Sequence, residues 1–192
     1  MIEGTGFYFC HIPKTGGDAI KKLCEQLKLP KIKIHDVDDG TKHAYIYREG
    51  KDFIMSIRRL PYHALSLYHE MRFQTPDKVP ELDCQGVGEW ALEGCHAEGL
   101  AAVYTNKLAN IPDYFVRSET LRSDLAVVLG RYYGLGSERH RIIHEGTTKK
   151  TWEYNRDLIN YFTKDQIKEL YRQAPSWAQL EQQAYGDNLC DH

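Results

Sequence analysis

Residues 7–19 read Phe-Tyr-Phe-Cys-His-Ile-Pro-Lys-Thr-Gly-Gly-Asp-Ala, and the change of character inside that stretch decides the fold. Phe7 to Ile12 is an apolar, β-prone run, Pro13 opens a turn that carries Lys14, Thr15, Gly16 and Gly17, and helical spacing begins at Ala19. The reading is a strand, a glycine turn and a helix start. Amides at a helix N-terminus have no intrahelical acceptor, and glycines let backbone close around an anion with no Cβ in the way. Lys14 adds a positive charge beside that point. Because the lysine precedes the glycines, the spacing is not the Gly-x4-Gly-Lys-Ser/Thr of the common nucleotide-triphosphate loop, which argues against an ordinary ATPase.

Outward from this stretch, Ala19, Ile20, Leu23, Cys24 and Leu27 recur at helical spacing and Pro30 ends the pattern, predicting a helix over about 17–28. Residues 31–37 alternate weakly as a second strand, Asp38-Asp39-Gly40 makes a turn, and 43–47 fits either a strand or one helical turn. Asp52 to Ile57 is apolar on both faces, as a buried parallel strand is. Arg58 and Arg59 stand at its carboxyl end, where open α/β sheets place ligands, and a helical pattern follows from Leu60 to Met71. The prolines and glycines of 73–88 read as a surface excursion and 90–108 as a helical region. Tyr114 to Val116 reads as a short strand, with Ser118 or Thr120 capping a helix over about 120–133, and two further helices follow near 167–171 and 178–184.

A chain of 192 residues suits one well-buried domain. A formal net charge of −2 gives no reason to expect a nucleic-acid or membrane partner, so an anion site has to be local. Such a bias exists: between His11 and Ile34 there are six lysines against Asp18 and Glu25. The five cysteines form no CxxC pair and no even framework, and the first strand begins within about six residues of Met1. With no apolar run near the ~20 residues of a membrane span, the expectation is reduced thiols in a cytoplasmic protein. Cys84, Cys95 and His96, or His140 with His144, lack the ligand spacing of a metal site, and none is expected.

The run His11 to Gly17 resembles the cofactor loop of the carbohydrate-type sulfotransferases, which move a sulfuryl group from 3′-phosphoadenosine 5′-phosphosulfate (PAPS) to an acceptor hydroxyl or amine and release the 3′,5′-bisphosphate PAP. The resemblance implies that residues 13–19 (Pro13, Lys14, Thr15, Gly16, Gly17, Asp18 and Ala19) hold the 5′-phosphosulfate. Residues 57–68 look like the family's second motif, in which an arginine after the strand and a serine eight residues on hold the 3′-phosphate. Arg58 and Ser66 keep that spacing, while a turn one residue longer than usual leaves Arg59 as the alternative arginine. His-Glu-Gly-Thr-Thr-Lys-Lys, 144–150, is similar to the loop that closes over the nucleotide, and assigns Thr147 and Lys149 to it. Relatives carry serine or threonine where this chain has Asp18, and a carboxylate there repels a phosphosulfate unless it points away or meets a cation.

The fold expected from these readings is a single α/β domain over residues 1–192. It has a mostly parallel central sheet of four or five strands, helices on both faces and a P-loop NTPase-like topology. Sulfuryl transfer needs alignment, neutralisation of the leaving phosphate and removal of the acceptor's proton. Lys14 and the amides of Thr15 to Asp18 serve the second need without a metal. For the base, His43 in the Lys42-His43-Ala44 run is preferred, with His35 as the alternative and Asp36 and Glu70 behind them. The acceptor expected is a glycan or small molecule, with glycan, small alcohol, phenol and peptide tyrosine all open to the sequence. Two rival readings stand beside this one, a kinase-like phosphoryl transferase and a non-catalytic nucleotide-binding or interaction protein.

Overall fold

The computed structural model describes residues 2–34, 50–94, 97–108, 112–135 and 154–191. The chain divides into two compact units, the first formed by Met1–Ile57 and Lys107–Thr151, the second by Arg58–Asn106 and Trp152–His192. Among the described residues no helix is long and apolar enough to cross a membrane.

The first unit is built on a five-stranded sheet. Its strands in chain order are β1 (Ile2–Glu3), β2 (Phe7–His11), β3 (Lys33–Ile34), β4 (Asp52–Ile57) and β5 (Tyr114–Arg117), arranged β3-β1-β2-β4-β5. The three longest, β2, β4 and β5, run parallel, with Phe9 opposite Ile54 and Ile54 opposite Tyr114. β1 is antiparallel to both β2 and β3, so the sheet as a whole is mixed rather than mostly parallel. The difference comes from the short stretch before Phe7. Two residues are too few to show an alternation, yet the Gly4 amide donates to the Phe7 carbonyl at 2.9 Å and folds Ile2 back against Phe9.

Two helices cover one face of this sheet. α1 (Gly17–Leu27) turns in Ile20, Leu23 and Cys24, and α5 (Leu121–Tyr133) turns in Leu125, Ala126, Val128 and Leu129. Both sets pack with Phe7, Phe9, Ile54 and Val116 into one core. The residues that alternate with these on the strands, Tyr8, Cys10, Phe53, Met55 and Ile57, are buried as well, and the Tyr8 and Phe53 rings stack at 5.1 Å. Burial on both faces is why β2 and β4 read as continuous apolar runs. It also makes Cys10 and Cys24 inert, because desolvation pushes both thiols up to about 12.

The entry to α5 depends on Asp124. Its carboxylate accepts from the Arg117 amide at 2.9 Å, from Arg117 Nε at 2.8 Å and NH2 at 2.9 Å, and from Thr120 Oγ1 at 3.0 Å. Burial opposes ionisation of Asp124, but these bonds outweigh it and hold the carboxyl below its usual range. A depressed carboxyl pKa contributes stability that is present above the unfolded value of about 4 and is lost as pH falls through the folded value. Asp124→Asn is therefore expected to cost about 1–3 kcal/mol at neutral pH and to flatten the acid limb of a urea-unfolding pH profile. An unchanged acid limb would contradict this.

The second unit is helical: α2 (Leu60–Gln74), α3 (Cys84–Gly94), α4 (Ala97–Leu108, whose last two residues belong to the first unit), α6 (Lys164–Gln173) and α7 (Pro175–Tyr185). α3 begins inside the stretch expected to be a surface excursion. Gly88 is the reason: a Cβ there would lie 2.0 Å from the Tyr161 carbonyl oxygen, so this glycine serves a close approach rather than a turn. Trp177 of α7 is fully buried, donates from Nε1 to the Arg58 carbonyl at 3.1 Å and meets the His63 ring at 4.3 Å. Glu98 of α4 accepts the Ser176 amide at 2.8 Å and the Ser176 hydroxyl at 2.6 Å, placing a carboxylate on the first turn of α7.

Candidate functional site

The loop between β2 and α1 turns on Thr15, which is 0% exposed. Its amide donates to the Ile12 carbonyl at 3.2 Å, its hydroxyl donates to the same carbonyl at 2.6 Å and lies 2.6 Å from Ser56 Oγ, and its carbonyl accepts from Ser118 Oγ at 2.8 Å. Every polar group of Thr15 is thus committed inside the protein. The residues on either side take left-handed backbone, Lys14 at φ 69° and Gly16 at φ 95°. A Cβ on Gly16 would also meet Leu121 Cδ1 at 2.3 Å and push that side chain aside, and φ 95° itself favours glycine.

α1 makes its first internal bond from the Ile20 amide to the Gly16 carbonyl at 3.1 Å. The amides of Gly17, Asp18 and Ala19 precede that bond and have no acceptor within the helix. With the Thr15 amide used by the turn, the amides that lack an intrahelical acceptor are those of this first turn rather than those of residues 15–18 as a block. Pro13, Lys14 and Ala19 are half-buried, while Asp18 is exposed in the first turn. The imidazole of His11, the last residue of β2, lies over Gly17 so closely that a Cβ there would be 2.2 Å from its Cδ2.

The carboxyl ends of the three parallel strands meet at this loop. Ser56 of β4 reaches Thr15, and Ser118, directly after β5, donates to the Thr15 and Ile57 carbonyls at 2.8 and 3.1 Å. A cleft of about 430 Å³ runs beside it, lined by Ala19 and Leu23 of α1 and by residues 118–123. Ser118 and Thr120 were expected as helix caps, and neither side chain caps. Ser56 and Ser118 meet this loop although the sequence does not assign them to it, and His11 opens the resembling run without a role of its own there. Only proximity in the parallel sheet joins them, and a single sequence carries no local signal of that.

In the second unit the two arginines after β4 separate. Arg59 is held by Glu181 Oε1 at 3.1 Å, the Asp187 carbonyl at 2.8 Å and Asp187 Oδ1 at 2.5 Å, with its guanidinium 4.1 Å from the centroid of the Tyr185 ring. Glu181 is itself 0% exposed and also accepts from Tyr171 at 2.6 Å and from the Leu60 amide at 2.8 Å. Burial, the largest influence, raises its pKa, and the three donors pull the other way. Arg58 is half-buried, and its Nε is enclosed without a hydrogen-bond partner among the described residues. Ser66 is buried in the second turn of α2. The remaining assignments, His35, His43, Asp36, Thr147 and Lys149, lie outside the described residues, as does Cys95.

Compared with protein-family models, with curated proteins and with solved structures, the chain matches none.

Proposed function

We propose that the chain is a PAPS-dependent sulfotransferase acting on a hydroxyl or amine of a carbohydrate or small molecule. The observation that carries this reading is the β2–α1 loop, in which His-Ile-Pro-Lys-Thr-Gly-Gly closes on a fully internal Thr15 and leaves first-turn amides of an 11-residue helix without an acceptor in the helix, at the carboxyl end of a parallel strand. The same loop, with β2 flanked by parallel β4, supports the P-loop-like topology that the reading implies.

Two features support this reading. First-turn amides and Lys14 supply fixed and mobile positive character for the phosphosulfate end, and Asp18 contributes through its amide. Within the second unit, Arg58 Nε is enclosed without a partner among the described residues while Arg59 is bonded to Glu181 and Asp187, which favours Arg58 over Arg59 as the arginine that the resemblance assigns, with Ser66, to the 3′-phosphate. PAPS, when bound, supplies an activated sulfuryl group on a phosphate leaving group. Lys14 and the α1 amides would meet the charge that gathers on that phosphate, and His43 or His35 would take the acceptor's proton.

The test compares PAP with ADP. A ligand bound only by the folded state raises apparent stability, so PAP is expected to raise the melting temperature more than ADP at equal concentration. Arg58→Ala should abolish the difference, at a cost in PAP binding of about 1.5–3 kcal/mol for a charge-assisted bond. Equal shifts with the two nucleotides would overturn the reading.

A further inference from the structure

We infer that Ser118 is a positioning residue for the β2–α1 loop, its hydroxyl setting the backbone that presents the first-turn amides of α1. The inference concerns the loop itself, and its bearing on ligand binding rests on the function proposed above.

Ser118 is the first residue inside the 3-10 turn 118–120, whose N-cap is Arg117, and its hydroxyl makes no capping bond. Asp124 of α5 accepts the Arg117 amide and the Thr120 hydroxyl beside it. The Ser118 hydroxyl points to the Thr15 carbonyl at 2.8 Å and to the Ile57 carbonyl at 3.1 Å. One proton is shared between a loop carbonyl and the last carbonyl of β4.

The Thr15 amide and hydroxyl are both directed to Ile12, with Ser56 alongside, and its carbonyl takes its bond from Ser118. Thr15 is thereby pinned at every polar atom between two left-handed residues. Lys14 carries a Cβ, for which φ 69° is unfavourable, so the loop holds this shape only while its neighbours over-determine it. Ser118 Oγ also lies 3.9 Å from the position a Gly16 Cβ would occupy, beside Leu121, so the same segment walls the loop and anchors it.

Amide hydrogen exchange on the full chain, followed residue by residue, tests this together with PAP titration. In Ser118→Ala the Thr15 amide should exchange about tenfold faster while the Phe53 to Ile57 amides of β4 keep their protection, and PAP should bind about three- to tenfold more weakly, the scale of one neutral hydrogen bond. Ser118→Thr, which keeps the hydroxyl, should restore both. Unchanged exchange at Thr15 would overturn the inference, as would equal loss of protection across β4, failure of threonine to restore the loop, or a Ser118→Ala chain that does not fold, each of which would make Ser118 an ordinary residue of the core. If the native chain fails to bind PAP while Ser118→Ala still loosens Thr15, the proposed cofactor falls and the positioning role stands.

Discussion

Arg59→Ala is expected to lower the unfolding free energy by about 3–5 kcal/mol, the usual result of removing one partner from a buried ion pair. The reason lies in what it leaves behind. Glu181 is 0% exposed, and without Arg59 its charge would keep only the Tyr171 hydroxyl and the Leu60 amide. Asp187 would lose its guanidinium contact and the Tyr185 ring its cation at the same time. Lysine should rescue little, because Arg59 uses two nitrogens of a planar fork toward two different acids. Arg58→Ala, one residue away, should change stability by less than about 1 kcal/mol, since the Arg58 carbonyl that holds Trp177 is backbone and survives. Urea midpoints at constant slope measure both. If Arg59→Ala unfolds at the native midpoint, the Glu181 network carries no net stability. The pair also separates structure from binding: only Arg58→Ala should remove the preference for PAP over ADP.

The central elements were legible in the sequence because burial on both faces and helical periodicity leave strong local patterns. Phe7–His11 and Asp52–Ile57 are strands within the runs read as such, α1, α2 and α5 begin and end near their predicted limits, and α6 and α7 extend beyond the helical stretches predicted near 167–171 and 178–184. What escaped was whatever depends on partners distant in the chain. β1 is two residues long and exists through its pairing with β2 and β3, so no alternation could reveal it. Gly86 and Gly88 look like turn residues, and the Tyr161 carbonyl that makes Gly88 a packing glycine lies 73 positions further on. The loop was legible as a loop, but not its internal economy. Nothing local says that the hydroxyl of Thr15 faces Ser56 rather than a ligand, or that Ser118 reaches back to Thr15. The choice between Arg58 and Arg59 was open for the same reason, since Glu181 and Asp187 come from the far end of the chain.

Lys14→Ala is expected to cut turnover about 10²- to 10³-fold, the scale seen when one preorganised donor to a developing charge is removed, while PAP affinity changes far less. Lys14 stands before the first turn of α1, beside the amides assigned to the phosphosulfate end. Charge on the leaving phosphate is greater in the transition state than in bound substrate, and an interaction that strengthens along the reaction raises kcat rather than lowering KM. The backbone supplies an internal control. At φ 69° lysine and alanine carry the same Cβ penalty, so Lys14→Ala removes the charge without altering the strain, whereas Lys14→Gly removes both. The glycine variant should therefore be more stable than the alanine variant by up to about 1–2 kcal/mol and equally slow. Were the glycine variant as active as the native chain, the lysine charge would not be needed for turnover and the role assigned to Lys14 would fall. A Lys14→Ala variant with native kcat and a raised KM would place the lysine in ground-state binding alone, against the role proposed for it.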